Sequence, residues 1–240
     1  MNGSSLLEFA GRAKRRRGWT IRLTERAQTK EILDECEPDG ETLRCCYEEM
    51  DRLHQWLGNR AAVMRRLRAL GVGARSRVLD IGCGQGAMLR VICDRLGCEG
   101  VGVDLRGACA DARVRIVKAD AVSDSLPRAD VAISVVMAHH LDPQALVAMI
   151  RNVERSCDAL VLLDLVRHPV PLTLFRAFVA PLLCRINASD GATSVRRAYT
   201  RRELREIVDA ALDGCQRKAV DVRHDVAALW LRQVVTVRWS

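Results

Sequence analysis

Short, continuous apolar runs alternate with helical patterns through the middle of the chain, and this alternation limits the fold more than any other feature. The helical stretch Ala87–Leu96 separates the first two runs, and residues 143–153 separate the last two. Parallel strands that are covered on both faces typically have continuous apolar sequences, and strands that alternate with helices tend to pair in parallel. We therefore predict an α/β fold with central strands at residues 76–81, 100–105, 114–118, 131–137 and 159–165.

The segments on either side of these strands complete a single domain, residues 25–240, which follows a flexible basic arm at residues 1–24. Two further strand-like runs, residues 220–222 and 228–239, bring the predicted number of strands to seven. The domain divides into a helical cap, a core, a lid insertion and a C-terminal helix with strands, at residues 25–72, 73–166, 167–200 and 201–240.

Local signals support the helical parts of this domain. The cap carries apolar residues at helical spacing, and Pro38-Asp39-Gly40 divides it into two pieces. Thr200 followed by Glu203 is a capping box, which predicts a helix that begins there. In the insertion, the apolar residues of 172–183 have helical spacing, so we expect one amphipathic helix that acts as a lid over the site below.

Length and composition restrict the class of protein. A chain of 240 residues with 49% apolar content supplies one sizeable core. No apolar run approaches the roughly 18–20 residues of a membrane span, and the first ten residues lack the order of a signal peptide. We therefore expect a cytoplasmic protein without a membrane span. The ten cysteines include no CxxC pair, so we expect reduced, mostly buried thiols and no metal site.

The most specific motif is residues 78–86, Val-Leu-Asp-Ile-Gly-Cys-Gly-Gln-Gly, where a strand runs into a glycine-rich turn and then a helix. Glycines let the backbone turn tightly and let a ligand approach it closely. These glycines are spaced as G-x-G-x-G, which differs from the G-x-G-x-x-G of dinucleotide-binding folds, and no lysine follows as in a phosphate-binding loop. The motif therefore indicates a ligand site of another kind.

The motif resembles motif I of class I S-adenosylmethionine-dependent methyltransferases, in which an acid precedes G-x-G-x-G. The resemblance implies a Rossmann-like, mostly parallel seven-stranded sheet with helices on both faces, and S-adenosylmethionine as methyl donor. It assigns the ribose hydroxyls to Asp104 and the adenine amino group to Asp120, both suitable partners for a carboxylate. The implied donor site consists of Asp80, Gly82, Cys83, Gly84, Gly86, Asp104, Leu105, Asp120 and Ala121. A plain Rossmann crevice with solvated acids is the alternative.

Three further residues at strand ends are candidates for catalysis. His139 and His140 follow the fourth strand, and Asp164 ends the fifth. Neighbouring parallel strands open on one crevice, so a His–Asp pair there would take a proton from a phenol while the methyl group moves. We favour His140 over His139 as the base, with Asp164 orienting an imidazole. The alternative is that a histidine only packs against the donor.

Further segments resemble one bacterial subgroup of small-molecule methyltransferases found with type III polyketide synthases. They are Trp56-Leu57-Gly58, Asp190-Gly191 and residues 194–200. This resemblance implies O-methylation of a small phenolic, quinol or polyketide acceptor. The oligomeric state is left open, with a homodimer as one possibility.

Two other functions stay open at this stage. A nucleic-acid methyltransferase is favoured by the net charge of +8 and the basic run Lys14-Arg15-Arg16-Arg17. It is disfavoured by Ala138-His139-His140-Leu141, which stands where base methylases often have N/D-P-P-Y/F, and by an aromatic content of 4%. Nucleic acid is therefore an unlikely partner. The second alternative is a donor-binding subunit without catalysis of its own.

Overall fold

The computed structural model describes residues 23–36, 38–107 and 114–240, so nearly all of the predicted basic arm, residues 1–24, lies outside it. Within these residues we number eight α-helices and seven β-strands in chain order. The helices α1 to α8 are Ile32–Glu35, Gly40–Trp56, Asn59–Ala69, Ala87–Leu96, Pro143–Ser156, Pro169–Leu174, Arg185–Arg197 and Arg201–Leu212. The strands β1 to β7 are Arg77–Ile81, Glu99–Asp104, Arg115–Lys118, Ala129–Val135, Cys157–Asp164, Ala219–Val226 and Gln233–Trp239.

The seven strands form one sheet in the order β3-β2-β1-β4-β5-β7-β6. Strands β1 to β5 pair in parallel, whereas β7 runs antiparallel between β5 and β6. This confirms the predicted Rossmann-like, mostly parallel seven-stranded sheet. The order reverses between β1 and β4, and in open α/β sheets ligands bind at the carboxyl ends of the strands beside such a reversal.

The sheet is buried by helices on both faces, which explains why its strands are continuously apolar. Alternate residues of one strand belong to different cores: Leu79 packs with α5 and α8, whereas Val78 packs with α3 and α4. The same alternation holds along β5, where Leu162 and Val161 face opposite sides. Successive side chains of a strand point to opposite faces, so the two cores hold the sheet, and therefore its strand ends, in a fixed position.

The insertion between β5 and α8 differs from the prediction. Residues 172–183 do not form one regular α-helix: α6 continues as a π-helical segment, Phe175–Val179, and a 3₁₀ turn, Ala180–Leu182. Helix α7 was not predicted, because its small and polar residues have low helix propensity. Tertiary contacts compensate, since the Phe175 ring lies so close to Gly191 that a Cβ there would come within 2.3 Å of it.

None of the helices in the described part of the chain is both long enough and apolar enough to cross a membrane.

The predicted capping box is present at the start of α8. The Thr200 hydroxyl accepts the Glu203 backbone N–H at 3.3 Å, and the Glu203 carboxylate accepts that of Thr200 at 2.8 Å. Thr200→Ala should lower the free energy of unfolding by about 1 kcal/mol, as loss of an N-cap usually does. The control is Thr193→Ala, whose exposed hydroxyl only donates to the Ser189 carbonyl within α7. Equal losses in denaturant titrations of both variants would contradict the prediction.

Candidate active site at the carboxyl ends of the strands

A cavity of about 290 Å³ lies where β1, β2 and β4 end. It extends from the acids that follow β2 and β3 to the histidine turn that follows β4. Its lining includes seven of the predicted site residues, which are Gly82, Gly84, Asp104, Leu105, Asp120, Ala121 and His140. The sequence motifs therefore come together at one place, although they are spread over some sixty positions of the chain.

A second cavity of about 320 Å³ shares Gly82 and Gly84 with the first and adds Asp80 and Cys83 to the set. Tyr47 and Met50 of α2 border both cavities. The remaining predicted residues, which are Gly86, His139 and Asp164, are absent from the lining of these two cavities as far as the described residues define it.

The glycine turn after β1 adopts a conformation that other residues rarely take. Gly82 and Gly84 have φ values of +69° and +53°. A Cβ on Gly82 would lie 2.4 Å from the Met137 side chain, which closes the turn from the other side. The Gly84 N–H donates to the Asp104 carboxylate at 2.9 Å. The turn is thus fixed by glycine geometry and by the acid at the end of β2.

The two strand-end acids lie in different local settings along the cavity. The other oxygen of Asp104 accepts the Arg106 N–H at 3.0 Å. Asp120 accepts the Val122 N–H at 2.9 Å and the Ser123 hydroxyl at 3.1 Å. Each carboxylate oxygen has more than one lone pair, so both acids keep acceptor capacity while their orientation is held by the backbone.

Backbone strain is present just before the histidines. Val136 has a φ of +54°, which is rare for a β-branched residue. Its N–H donates to the Leu163 carbonyl at 2.7 Å, so β5 holds it in place. Strained residues of this kind cluster at functional sites. Here the strain turns the chain out of β4 so that Met137 and His140 border the cavity.

His139 is a buried, ion-paired residue. Its side chain is 1% exposed, and its Nδ1 lies 2.8 Å from the Asp164 carboxylate. The same carboxylate accepts the His139 backbone N–H at 2.7 Å. Burial would lower the pKa of this imidazole, but the carboxylates of Asp164 and Glu31 outweigh burial and raise its pKa to about 9. His139 is therefore held by the fold and does not face the cavity.

His140 has a different environment from its neighbour. Its side chain is 30% exposed and lines the cavity. Its Nδ1 lies 3.2 Å from the Asp34 carboxylate, and its Nε2 lies 3.7 Å from that of Glu31. The histidine that contacts Asp164 and the histidine that faces the cavity are thus two different residues, and the carboxylate beside His140 comes from α1.

A family model described as a methyltransferase domain matches residues 47–211, which is more than half of the chain. The chain belongs to this methyltransferase family. The match begins within α2 and ends within α8, so it includes β1 to β5 and every strand end that borders the cavities. No curated protein matches the chain in sequence.

Two solved structures illustrate the likeness of this methyltransferase to known folds. Human N-acetylserotonin methyltransferase in complex with SAM is 13% identical with a TM-score of 0.55; the match covers 79% of this chain and 53% of that one. The plantazolicin methyltransferase BpumL, in complex with a monoazolic desmethylPZN analog and SAH, is 11% identical with a TM-score of 0.61, and the match covers 84% and 91%. At these identities the likeness establishes the fold.

The methyltransferase cavity is covered by a segment that the sequence did not reveal as part of the site. Glu31 and Asp34 line the cavity, and they are held by α7. The Ser194 hydroxyl donates to Glu31 at 2.7 Å, Arg197 donates to Asp34 at 2.7 Å, and the Asp190 carboxylate accepts the first N–H groups of α1. These partners lie more than 150 positions away in sequence, so local pattern alone gives no sign of them.

The predicted lid, residues 167–200, acts on the site indirectly. The residues that line the two cavities in the described part of the chain come from other segments. Helix α7 instead supports the acidic segment that covers the cavity. Whether the insertion moves as a lid stays a prediction.

Among the acids of this methyltransferase site, Asp80 has the carboxyl pKa that is shifted furthest from its ordinary value. It is 2% exposed at the end of β1. Burial and then the nearby charge of Asp104 raise its pKa from 3.8 to about 8. A carboxyl group in this state is ready to accept a cationic ligand, since a nearby positive charge would favour its ionised form.

The raised pKa of Asp80 predicts how stability depends on pH. The folded state binds the Asp80 proton more tightly than the unfolded state does. The protonated carboxyl therefore contributes fully to the free energy of unfolding below about pH 4, and this contribution is lost as the pH rises towards 8. Asp80→Asn should remove this loss and flatten the profile in denaturant titrations between pH 5 and 8. The exposed Asp209→Asn serves as control and should keep the wild-type slope. A wild-type slope in Asp80→Asn would contradict the prediction.

Proposed function

We propose that this protein transfers the methyl group of S-adenosylmethionine to an oxygen of a small phenolic, quinol or polyketide acceptor. The observation that carries the proposal is the single cavity that runs from two strand-end acids, past the glycine turn, to His140. Structural neighbours crystallised with SAM or SAH support the choice of donor. The resemblance of residues 190–200 to a small-molecule subgroup supports the choice of acceptor.

The residues present fit the chemistry of this donor. Asp104 would accept the two ribose hydroxyls, and Asp120 would accept the adenine amino group between Leu105 and Ala121. Gly82 and Gly84 line the cavity without a side chain of their own, so the middle of the donor could approach their backbone. The buried Asp80 suits the ammonium group, because its carboxyl gains a positive partner when the site is filled.

The donor, when bound, would supply an electrophilic methyl group and would keep on its sulfur the electron pair of the sulfur–methyl bond that breaks. In this proposal His140 holds the hydroxyl of the acceptor and takes its proton as the oxygen forms its bond to the methyl carbon. Asp34 orients the imidazole of His140, while Asp164 holds the turn through His139. The side chains that cover the cavity, including Tyr47 and Leu141, exclude water from the reacting atoms.

Binding of the donor tests the first half of the proposal. Asp104→Ala should weaken binding of S-adenosylmethionine by about 1.5–3 kcal/mol, the usual worth of hydrogen bonds to a charged group. Calorimetry should show that wild-type protein binds S-adenosylmethionine and does not bind NAD. Asp213→Ala, an exposed change beyond α8, is the control. An unchanged affinity in Asp104→Ala would mean that the ribose lies elsewhere.

Turnover tests the second half. His140→Ala should lower kcat on a protonated phenol by roughly 10²–10⁴-fold, the usual worth of general-base assistance, while donor binding persists. The loss should shrink for an acceptor that is already ionised, because no proton then remains to be removed. Asp34→Asn should cost less, since it only orients the ring. His168→Ala is the control, because that ring stacks on Trp230 instead. Full turnover in His140→Ala would leave proximity and desolvation as the source of the rate.

The acceptor is found by a screen with labelled donor against phenols, quinols, small acids and bulk RNA. Methylation of RNA alone would favour the nucleic-acid alternative, whose basic run lies outside the described residues. Donor binding without methylation of any class would favour the non-catalytic subunit. The homodimer and the cytoplasmic location stay predictions.

A further inference from the structure

Three side chains with metal-binding atoms meet beside the cavity. Glu31 precedes α1, whereas His139 and His140 lie in the turn after β4. One ligand atom from each of the three lies within 4.8 Å of the other two. Two imidazoles and one carboxylate form the protein part of many catalytic zinc and non-haem iron sites.

The distances within this group suit a shared ion better than direct hydrogen bonds. His139 Nε2 lies 3.4 Å from Glu31 Oε1, and His140 Nε2 lies 3.7 Å from Glu31 Oε2. A charged hydrogen bond would measure about 2.7–2.9 Å. Two ligands of a tetrahedral ion, each bound at about 2.0–2.1 Å, are roughly 3.3–3.4 Å apart. The His139–Glu31 distance matches this spacing and the His140–Glu31 distance is slightly longer, so the group is close to the spacing of ligands around a small ion.

The other ring nitrogens are already occupied in the manner of metal-binding histidines. His139 Nδ1 contacts the Asp164 carboxylate at 2.8 Å, and His140 Nδ1 contacts that of Asp34 at 3.2 Å. Histidine ligands usually donate their second nitrogen to such an outer partner, which fixes the ring and directs the free nitrogen at the metal. Here both Nε2 atoms are directed at Glu31.

One of these nitrogens is buried and has no hydrogen bond to a described residue, although the Glu31 carboxylate lies 3.4 Å away. Within the described residues, His139 Nε2 makes no hydrogen bond, although the side chain is only 1% exposed. Buried polar atoms almost always have a partner, and one that lacks it calls for an explanation such as an ion. A cation between His139, His140 and Glu31 would satisfy it.

We propose that Glu31, His139 and His140 form a binding site for one divalent transition-metal ion of the zinc class. The fourth position would face the cavity that His140 lines. The ion would also connect the segment before α1 to the turn after β4, and would therefore hold the acidic cover over the cavity.

The charges around the three ligands favour a cation. Three carboxylates contact the two imidazoles, those of Glu31, Asp34 and Asp164. Among the residues that the structure describes, Arg197 is the guanidinium in ion-pair contact with these acids. Counted with both imidazoles neutral, the group carries an excess of negative charge, which a divalent ion would balance once it displaces the proton that these acids hold on His139.

This site departs from the expectation that the chain binds no metal, which rested on its cysteines. It also goes beyond the proposed function. A metal ion and a proton compete for the same lone pair of His140 Nε2, so a chain that holds the ion could not use His140 as its general base. The metal test is therefore made without donor or acceptor. Its outcome therefore does not depend on methyl transfer.

The experiment compares metal binding by matched variants of the full chain. Protein treated with chelator and dialysed is titrated with Zn²⁺ by calorimetry and with Co²⁺ by visible absorbance. Glu31→Gln and His140→Ala remove ligands that are less buried than His139, and Asp34→Asn removes an outer partner. His224→Ala is the control, because that ring contacts Gln233 in the strand pair β6–β7. Circular dichroism checks that each variant is folded. Binding of the ion by cysteine thiols would be the same in all variants, because none of them changes a cysteine.

Wild-type protein and His224→Ala should bind one equivalent of Zn²⁺ or Co²⁺, and Glu31→Gln and His140→Ala should lose this binding. Asp34→Asn should weaken the same step by roughly 10–100-fold, the usual effect of an outer partner. The proposal is overturned if wild-type protein binds no more ion than folded Glu31→Gln, or if both ligand variants bind like wild type.

Discussion

The Asp164 carboxylate is the contact on which the site depends. It binds the backbone N–H and the ring of His139 at once, at 2.7 and 2.8 Å. A strained residue, Val136, precedes this turn, so the turn needs an external group to hold it. Because Asp164 ends a strand that is buried on both faces, the two cores hold the carboxylate and the carboxylate holds the turn. His140 then reaches the cavity, and Met137 packs against the glycine turn.

A second set of contacts joins parts of the chain that are far apart in sequence. Arg26 donates to the carbonyls of Arg197, His139 and Leu141, which tie the N-terminal segment to α7 and to the histidine turn. Tyr199 donates to the Leu141 carbonyl as well. The N-terminal part of the cover is thus held in place largely by backbone carbonyls and charged side chains. The helix α1 in this cover has no fully buried residue and therefore little hydrophobic stabilisation. Segments with few buried apolar contacts are the ones that open locally.

The strands, and the meeting of the glycine turn with the strand-end acids at one cavity, could be predicted because local rules determine them. An apolar run followed by closely spaced glycines leaves few alternatives for residues 78–86, and acids such as Asp104 follow strands whose direction the alternation already gives. The role of Glu31 could not be predicted in this way, because its partners Ser194 and His139 lie over a hundred positions away. Helix α7 was not predicted for a related reason. Its residues have a low helix propensity, and tertiary packing, such as that of Phe175 against Gly191, compensates for it.

The contrast between residues fixed by local geometry and residues held by long-range contacts has a consequence for which parts of the site tolerate a change of residue. The donor side is set by backbone geometry that other residues cannot adopt, so a turn such as that at Gly82 has little freedom to change. The part of the cavity beside His140 is bordered by a segment that long-range polar contacts with α7 hold in place. Structures at 11–13% identity share this fold. Under the proposed function an acceptor in the cavity would meet Glu31 and Asp34, which are the groups that local sequence patterns do not reveal.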